Sequence, residues 1–108
     1  MAMAILTWDL PPQEQMAAYN EKARTDWIPT VVRQPGVKEF RALRNALHAS
    51  PHAMVITEYD SLAAALKFIE TEGLARVMEG LRAVGCTNIT VQLWDVSPVV
   101  PEPIRPGS

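Results

Sequence analysis

Apolar positions along this chain alternate in some stretches and recur every three to four residues in others. From Ala2 to Trp8 the pattern is that of a strand, with Met3, Ile5 and Thr7 on one face and Ala4, Leu6 and Trp8 on the other. Both sets are mostly apolar, so this strand is expected to be buried on both sides. Pro11-Pro12 ends it, and Pro12 suits the first turn of a helix, where its missing N–H costs nothing. From about Gln13 to Gln34, Met16, Tyr19 or Asn20, Ala23, Trp27 and Val31 recur at helical spacing and form one face. Glu14 and Glu21 lie toward the start of this helix and Arg33 near its end, as the helix dipole prefers. Pro29 falls inside the pattern and predicts a kink or a second helical piece starting at that residue; Pro35-Gly36 stops it.

Val37 to Leu47 reads as a second strand whose Lys38, Glu39, Arg41 and Arg44 suit a sheet edge. Asn45 to His52 holds a turn centred on Ser50-Pro51. Ala53 to Tyr59 is a third strand, apolar on both faces through Met54, Val55 and Ile56, and expected to be central like the first. Asp60 or Ser61 can cap the next helix, whose inner stripe is expected to be Leu62, Ala65, Leu66 and Ile69. Gly73 breaks that helix. Leu74, Val77, Met78 and Leu81 resume the stripe to Val84, and Gly85 closes it. Asn88 to Val96 is the last strand, with Ile89, Val91 and Leu93 alternating against Thr90, Gln92 and Trp94. Residues 1–96 thus read as one domain. The tail 97–108, with Pro98, Pro101, Pro103 and Pro106, is expected to be extended or loosely ordered.

The resulting order, β-α-β-β-α-β, is the split β-α-β pattern of a ferredoxin-like α+β sandwich with an antiparallel four-stranded sheet. That topology puts the first and third strands in the middle, and these are the two strands apolar on both faces. Two helices cover one face of such a sheet. The other face is also apolar here, and a large apolar patch marks an interface. A second copy packed face to face is the simplest cover, which predicts a homodimer.

Composition narrows the chemistry by exclusion. The chain has 108 residues, 48% hydrophobic and 20% charged, with a net charge of −2, which suits one globular domain and argues against a broad nucleic-acid surface. Its single cysteine, Cys86, cannot form an intrachain disulfide and reads as a small buried residue, with a reactive thiol as the alternative. A reducing, cytoplasmic setting is the expectation. Met1–Leu6 does not read as a signal peptide, and no stretch approaches a membrane span. There is no nucleophile triad, no Gly-rich phosphate loop and no Cys/His metal cluster, so neither metal nor cofactor is expected.

Several features together resemble the antibiotic-biosynthesis-monooxygenase-type domain of the dimeric α/β-barrel superfamily. They are a first helix with Trp27, Pro29 and a closing Pro35-Gly36, then a third strand entering an acidic, small-residue helix start (Glu58-Tyr59-Asp60-Ser61-Leu62-Ala63-Ala64-Ala65), then a broken second helix. The resemblance spans roughly Ala4 to Val96. It implies a dimeric α/β barrel and, for some members, cofactor-free oxygenation of polyketide aromatics. Haem-degrading members use a His on the second helix as iron ligand, and this chain has no His between Ser61 and Val84.

Members that bind small molecules use the space between helices and sheet, which the helical register assigns to Trp27, either as core or as the wall of a site for a flat ligand. Tyr19 belongs to the same face. Trp8 and Trp94, near strand ends, are candidates for the substrate or for the dimer interface. His48 and His52 flank the turn between the second and third strands; they are exposed turn residues or, more sharply, a general base. Arg41 and Arg44 are solvated edge charges or anchors for an anionic group. Two functions remain open. One is a small-molecule monooxygenase acting without metal on an aromatic or polycyclic substrate, the substrate itself reducing oxygen. The other is a non-catalytic ligand-binding or assembly domain, favoured by a core that Trp27, Tyr19 and Met78 fill without leaving a pocket.

Overall fold

The computed structural model describes residues 1–107. Four strands, β1 (Ala2–Asp9), β2 (Val37–Arg44), β3 (Ala53–Tyr59) and β4 (Thr87–Asp95), form one antiparallel sheet in the order β2-β3-β1-β4. The two strands apolar on both faces are therefore the central pair, and the charged second strand is an edge. Helical segments lie on one face only. They are a 3₁₀ turn (Gln13–Gln15), α1 (Met16–Lys22), a π-helical turn (Ala23–Trp27), α2 (Ile28–Val32), α3 (Leu62–Glu70) and α4 (Glu72–Ala83). No helix among the described residues is long and apolar enough to cross a membrane.

Period-two alternation sorts the strand residues by face. Ala2, Ala4, Leu6 and Trp8 of β1 turn toward the helices and are buried, opposite Tyr59, Thr57, Val55 and Ala53 of β3. The other set in the same two strands, Met3, Ile5, Thr7 and Met54, Ile56, Glu58, lies on the uncovered face and is only half-buried. Burial on both faces thus does not occur within one copy. The helix side is dry, and the second apolar face is left with Trp94 and Leu43 among its exposed large side chains.

Local chemistry accounts for most element ends. Ser61, not Asp60, caps α3: its Oγ accepts the Ala64 N–H at 3.1 Å. Gly36 has φ of +85°, and a Cβ there would lie 2.7 Å from the Ala64 Cβ, so the turn into β2 requires glycine. β2 stops at Arg44, three residues before the expected Leu47. Asn45 diverts the chain, its Oδ1 accepting the Leu47 N–H and its Nδ2 donating to the Ala49 and Pro51 carbonyls. Pro12 stands just before the first helical turn rather than within it.

The stripe of α3 is also rotated from expectation. Ala65 and Phe68 are the buried residues, whereas Leu62 and Leu66 are exposed. Phe68 stacks on Tyr59 (centroids 6.3 Å apart), and this aromatic pair, not the leucines, sets the helix rotation. The α4 stripe agrees with expectation: Leu74, Val77 and Leu81 are buried and Met78 partly so. After Asp95 the tail has no regular structure. Pro103 and Arg105 border a shallow groove of ≈ 520 Å³ on the uncovered face, beside Met3, Glu39 and Glu58.

Candidate functional site

The first helix does not restart at Pro29. It widens into a π turn, in which the Ile28 N–H donates to the Ala23 carbonyl, five residues back, and then continues as α2 with Pro29 as its second residue. The widening has a consequence for the site. At about 100° per residue, Tyr19 and Trp27 would point roughly 80° apart on a regular α-helix; one inserted residue brings them within roughly 20°. Both are buried, and they meet edge to face with centroids 5.7 Å apart.

Between this aromatic pair and the sheet lies a cavity of ≈ 200 Å³. Its floor is Ala4, Leu6 and Trp8 of β1, Ala53, Val55 and Thr57 of β3, and Phe40, Ala42 and Arg44 of β2. Its roof is Tyr19, Ala23, Trp27 and Val31, closed at the back by Phe68, Val77 and Leu81. Small residues make the space. Ala4, Ala42 and Ala53, one on each of three adjacent strands, leave room in the floor that larger side chains would fill. Gly80 lets the Trp27 indole lie directly against α4: a Cβ there would sit 2.5 Å from its Nε1. The mouth is where the exposed helix-side lining residues Asn20, Ile28, Ala42 and Arg44 lie.

The lining is apolar with few polar groups. The Trp8 Nε1–H donates to the Tyr19 Oη at 3.0 Å, a buried bond that fixes both rings. Burial pushes the Tyr19 phenol above its ordinary value, opposed by the Trp8 hydrogen bond and the Arg44 charge, so it stays protonated at neutral pH. Its own hydrogen has no protein acceptor among the described residues and is free for a ligand. Arg44 makes none of the ion pairs of the described residues.

The expected site residues divide by location. Trp8, Tyr19, Trp27 and Arg44 converge on the cavity. Trp8 therefore lies on the helix side, away from the uncovered face where a dimer interface would form. Arg41 and Trp94 are on that opposite face; Arg41 pairs with Glu39 at 2.5 Å, and Trp94 donates to Gln92. His48 and His52 do not line the cavity. His48 is exposed in the β2–β3 turn with φ of +56°. His52 braces the sheet end: its Nδ1 accepts the Leu10 N–H at 3.0 Å, with Asp9 Oδ1 at 3.8 Å. Among the described residues, no three His, Cys, Asp or Glu side chains cluster as a metal site. Cys86 is buried, and burial pushes its thiol up to about 11.

Sequence reasoning missed Ala42, Ala53, Thr57 and Gly80. The glycine had a readable signal, since it stands in the middle of an amphipathic helix where it costs about 1 kcal/mol relative to Ala.

No family model and no curated protein matches the sequence. Solved structures do match in fold. A Deinococcus radiodurans protein proposed to be an antibiotic biosynthesis monooxygenase superposes with a TM-score of 0.74 at 14% identity, covering 97% of each chain. A dimeric ferredoxin-like protein of unknown function from Jannaschia gives 0.67 at 17% identity, covering 88% of this chain and 98% of its own. SnoaB, a cofactor-independent oxygenase from Streptomyces nogalater, gives 0.58 at 20% identity, covering 94% of this chain and 95% of its own. The fold of this chain is that of the antibiotic-biosynthesis-monooxygenase-like domains, a ferredoxin-like α+β sandwich.

Proposed function

We propose that this domain is a small-molecule oxygenase that takes an aromatic substrate between its first helix and the sheet and works as a homodimer. The observation that carries the reading is the cavity itself: apolar, floored by small residues, open at one end, and provided with one free phenol donor and one unpaired cation. Tyr19 and Trp27 do not fill their layer, which counts against an assembly-only role. The fold shared with SnoaB supports the oxygenase class.

The volume limits the substrate. An engineered cavity of about 150 Å³ takes benzene, so ≈ 200 Å³ suits one substituted ring or two fused rings. A phenol with a free para C–H meets the chemistry. Its phenolate gives an electron to dioxygen, and the superoxide and phenoxyl so formed join at the para carbon. Loss of water from the hydroperoxide leaves a quinone. Phenol plus dioxygen becomes quinone plus water, the substrate supplying all four electrons. Trp8, Tyr19 and Trp27 would orient the ring and exclude water, the Tyr19 O–H would hold the oxygen substituent, and Arg44 would favour the phenolate.

The test is oxygen uptake with naphthols under isotopically labelled dioxygen. One labelled atom per quinone and one dioxygen consumed per turnover is the expected result. Uptake no faster than the protein-free rate across naphthols and simple phenols would refute it. For the homodimer, the uncovered face bearing Trp94, Leu43, Met3 and Ile56 is the surface a second copy would bury, in keeping with the dimeric Jannaschia protein of the same fold. Light scattering at micromolar concentration should give twice 12.0 kDa; a monomer mass would overturn it.

A further inference from the structure

Arg44 is the residue of the cavity that the apolar lining does not explain. It ends β2 on the helix-facing side, in register with Ala53, and it both lines the cavity and is exposed to solvent. Its sequence neighbour in charge, Arg41, lies on the other face and is neutralised by Glu39. No carboxylate of the described residues pairs with Arg44. The other polar side chains of the lining, Tyr19, Asn20 and Thr57, carry no charge that could pair with it. An unpaired guanidinium at the mouth of an apolar slot is a planar anchor for an anionic oxygen pair.

Resting on the cavity reading above, we infer that the natural ligand is a one- or two-ring aromatic acid whose carboxylate is held by Arg44 at the mouth while its ring lies inside against Trp27. The geometry fixes the orientation. The ring end meets Leu6, Val31 and Leu81, which offer no polar partner, and the anionic end stays near water and the cation. A three-ring acid is held only partly within ≈ 200 Å³ and leaves apolar surface in the mouth.

Calorimetric titration of the full chain with 1-naphthoate, its neutral isostere 1-naphthamide, and 9-anthroate tests this directly. Three results are expected: naphthoate binds about ten-fold or more tightly than naphthamide, the equivalent of ~1.4 kcal/mol; anthroate binds more weakly than naphthoate; and Arg44→Gln abolishes the preference for the acid, weakening naphthoate about ten-fold and leaving naphthamide unchanged, while Arg44→Lys restores part of it. Arg44 is exposed, so the variants are expected to fold, and naphthamide binding reports that the cavity is intact. Equal affinity for acid and amide, or equal weakening of both by Arg44→Gln, would overturn the anion assignment and leave the cavity reading standing. Binding of anthroate at least as tight as naphthoate would overturn the size limit. Binding of none of the three would overturn the cavity reading as well.

Discussion

Gly80 offers the sharpest perturbation of the cavity, because it tests the wall without touching the ligand. A methyl group at this position would lie 2.5 Å from the Trp27 Nε1, 3.1 Å from Cε2 and 3.2 Å from Cζ2. All three atoms belong to one rigid ring, which is buried and packed edge to face against Tyr19. Relief therefore requires the whole indole to move by roughly 1 Å, and the space beside it is the cavity. Gly80→Ala gains about 1 kcal/mol of helix propensity. Overpacking a fixed ring costs about 1–3 kcal/mol. The expected balance is a loss of about 1 kcal/mol, or roughly 4–8 °C in Tm. Naphthoate affinity should fall by at least about ten-fold, because the displaced ring occupies ligand space. Gly73→Ala is the matched control. Its Cβ would meet nothing closer than the Phe68 Cε1 at 3.4 Å, an ordinary contact, so it should gain about 0.5–1 kcal/mol and leave binding unchanged. Thermal melts and calorimetry on both variants decide the matter. If Gly80→Ala stabilises as Gly73→Ala does and binds as well as the parent, the wall assigned to Trp27 is misplaced.

Three further outcomes follow from buried or bonded polar groups. The Asp9 carboxylate accepts from Ser50 Oγ and from Asn88 Nδ2, both at 2.6 Å, tying β1 to the β2–β3 turn and to β4. The Ser50 bond most, then the Asn88 bond and the nearby His52, hold its pKa below the usual carboxylate range against the opposing effect of desolvation. A depressed carboxylate stabilises above its unfolded value and loses that contribution as pH falls through the folded one. Asp9→Asn should thus be less stable than the parent at pH 7, with the gap closing below about pH 4 in denaturant titrations; a gap independent of pH would refute the latch. The Tyr59 hydroxyl is buried with no partner, and its phenol is pushed up to about 12 by burial. Tyr59→Phe should keep the stack on Phe68 and raise stability by about 1 kcal/mol, and a loss on chemical denaturation would show a partner for that oxygen. Cys86 should react with thiol reagents at pH 8 only in denaturant; rapid labelling of the native chain would contradict its burial.

Much of the fold could be read from period alone. β1 and β3 were recognisable as central because both of their faces are apolar, and β2 as an edge from its charges. What periodicity could not supply was rotation and spacing. The π turn shifts helical register by one residue, and that shift, invisible in a 3.6-residue reading, is what sets Tyr19 beside Trp27. The α3 stripe was misassigned because Leu62 and Leu66 outweigh Ala65 in hydrophobicity, although the Phe68–Tyr59 stack decides which side faces in. In the site, Arg41 and Arg44 are alike in charge but stand three apart on one strand and so face opposite ways, which leaves Arg44 alone at the cavity. The histidines drew attention by residue type, whereas the turn around Asn45 carries them away from the helices. The alanines that hollow the cavity carry no chemical signature in sequence, since an absent side chain is recognisable only when its neighbours are placed.

The three tryptophans provide the most direct test of the central claim, because the fold separates them. Trp8 and Trp27 line the cavity, and Trp94 stands on the opposite face of the sheet. In a nitrogen-15 correlation spectrum their indole N–H groups should give separate signals. Titration with 1-naphthoate should shift the Trp8 and Trp27 signals together, along one saturating curve, and leave Trp94 in place. A shift confined to Trp94, or none at a ligand concentration that saturates the calorimetric isotherm, would show that the helix–sheet cavity is not where this protein binds its ligand.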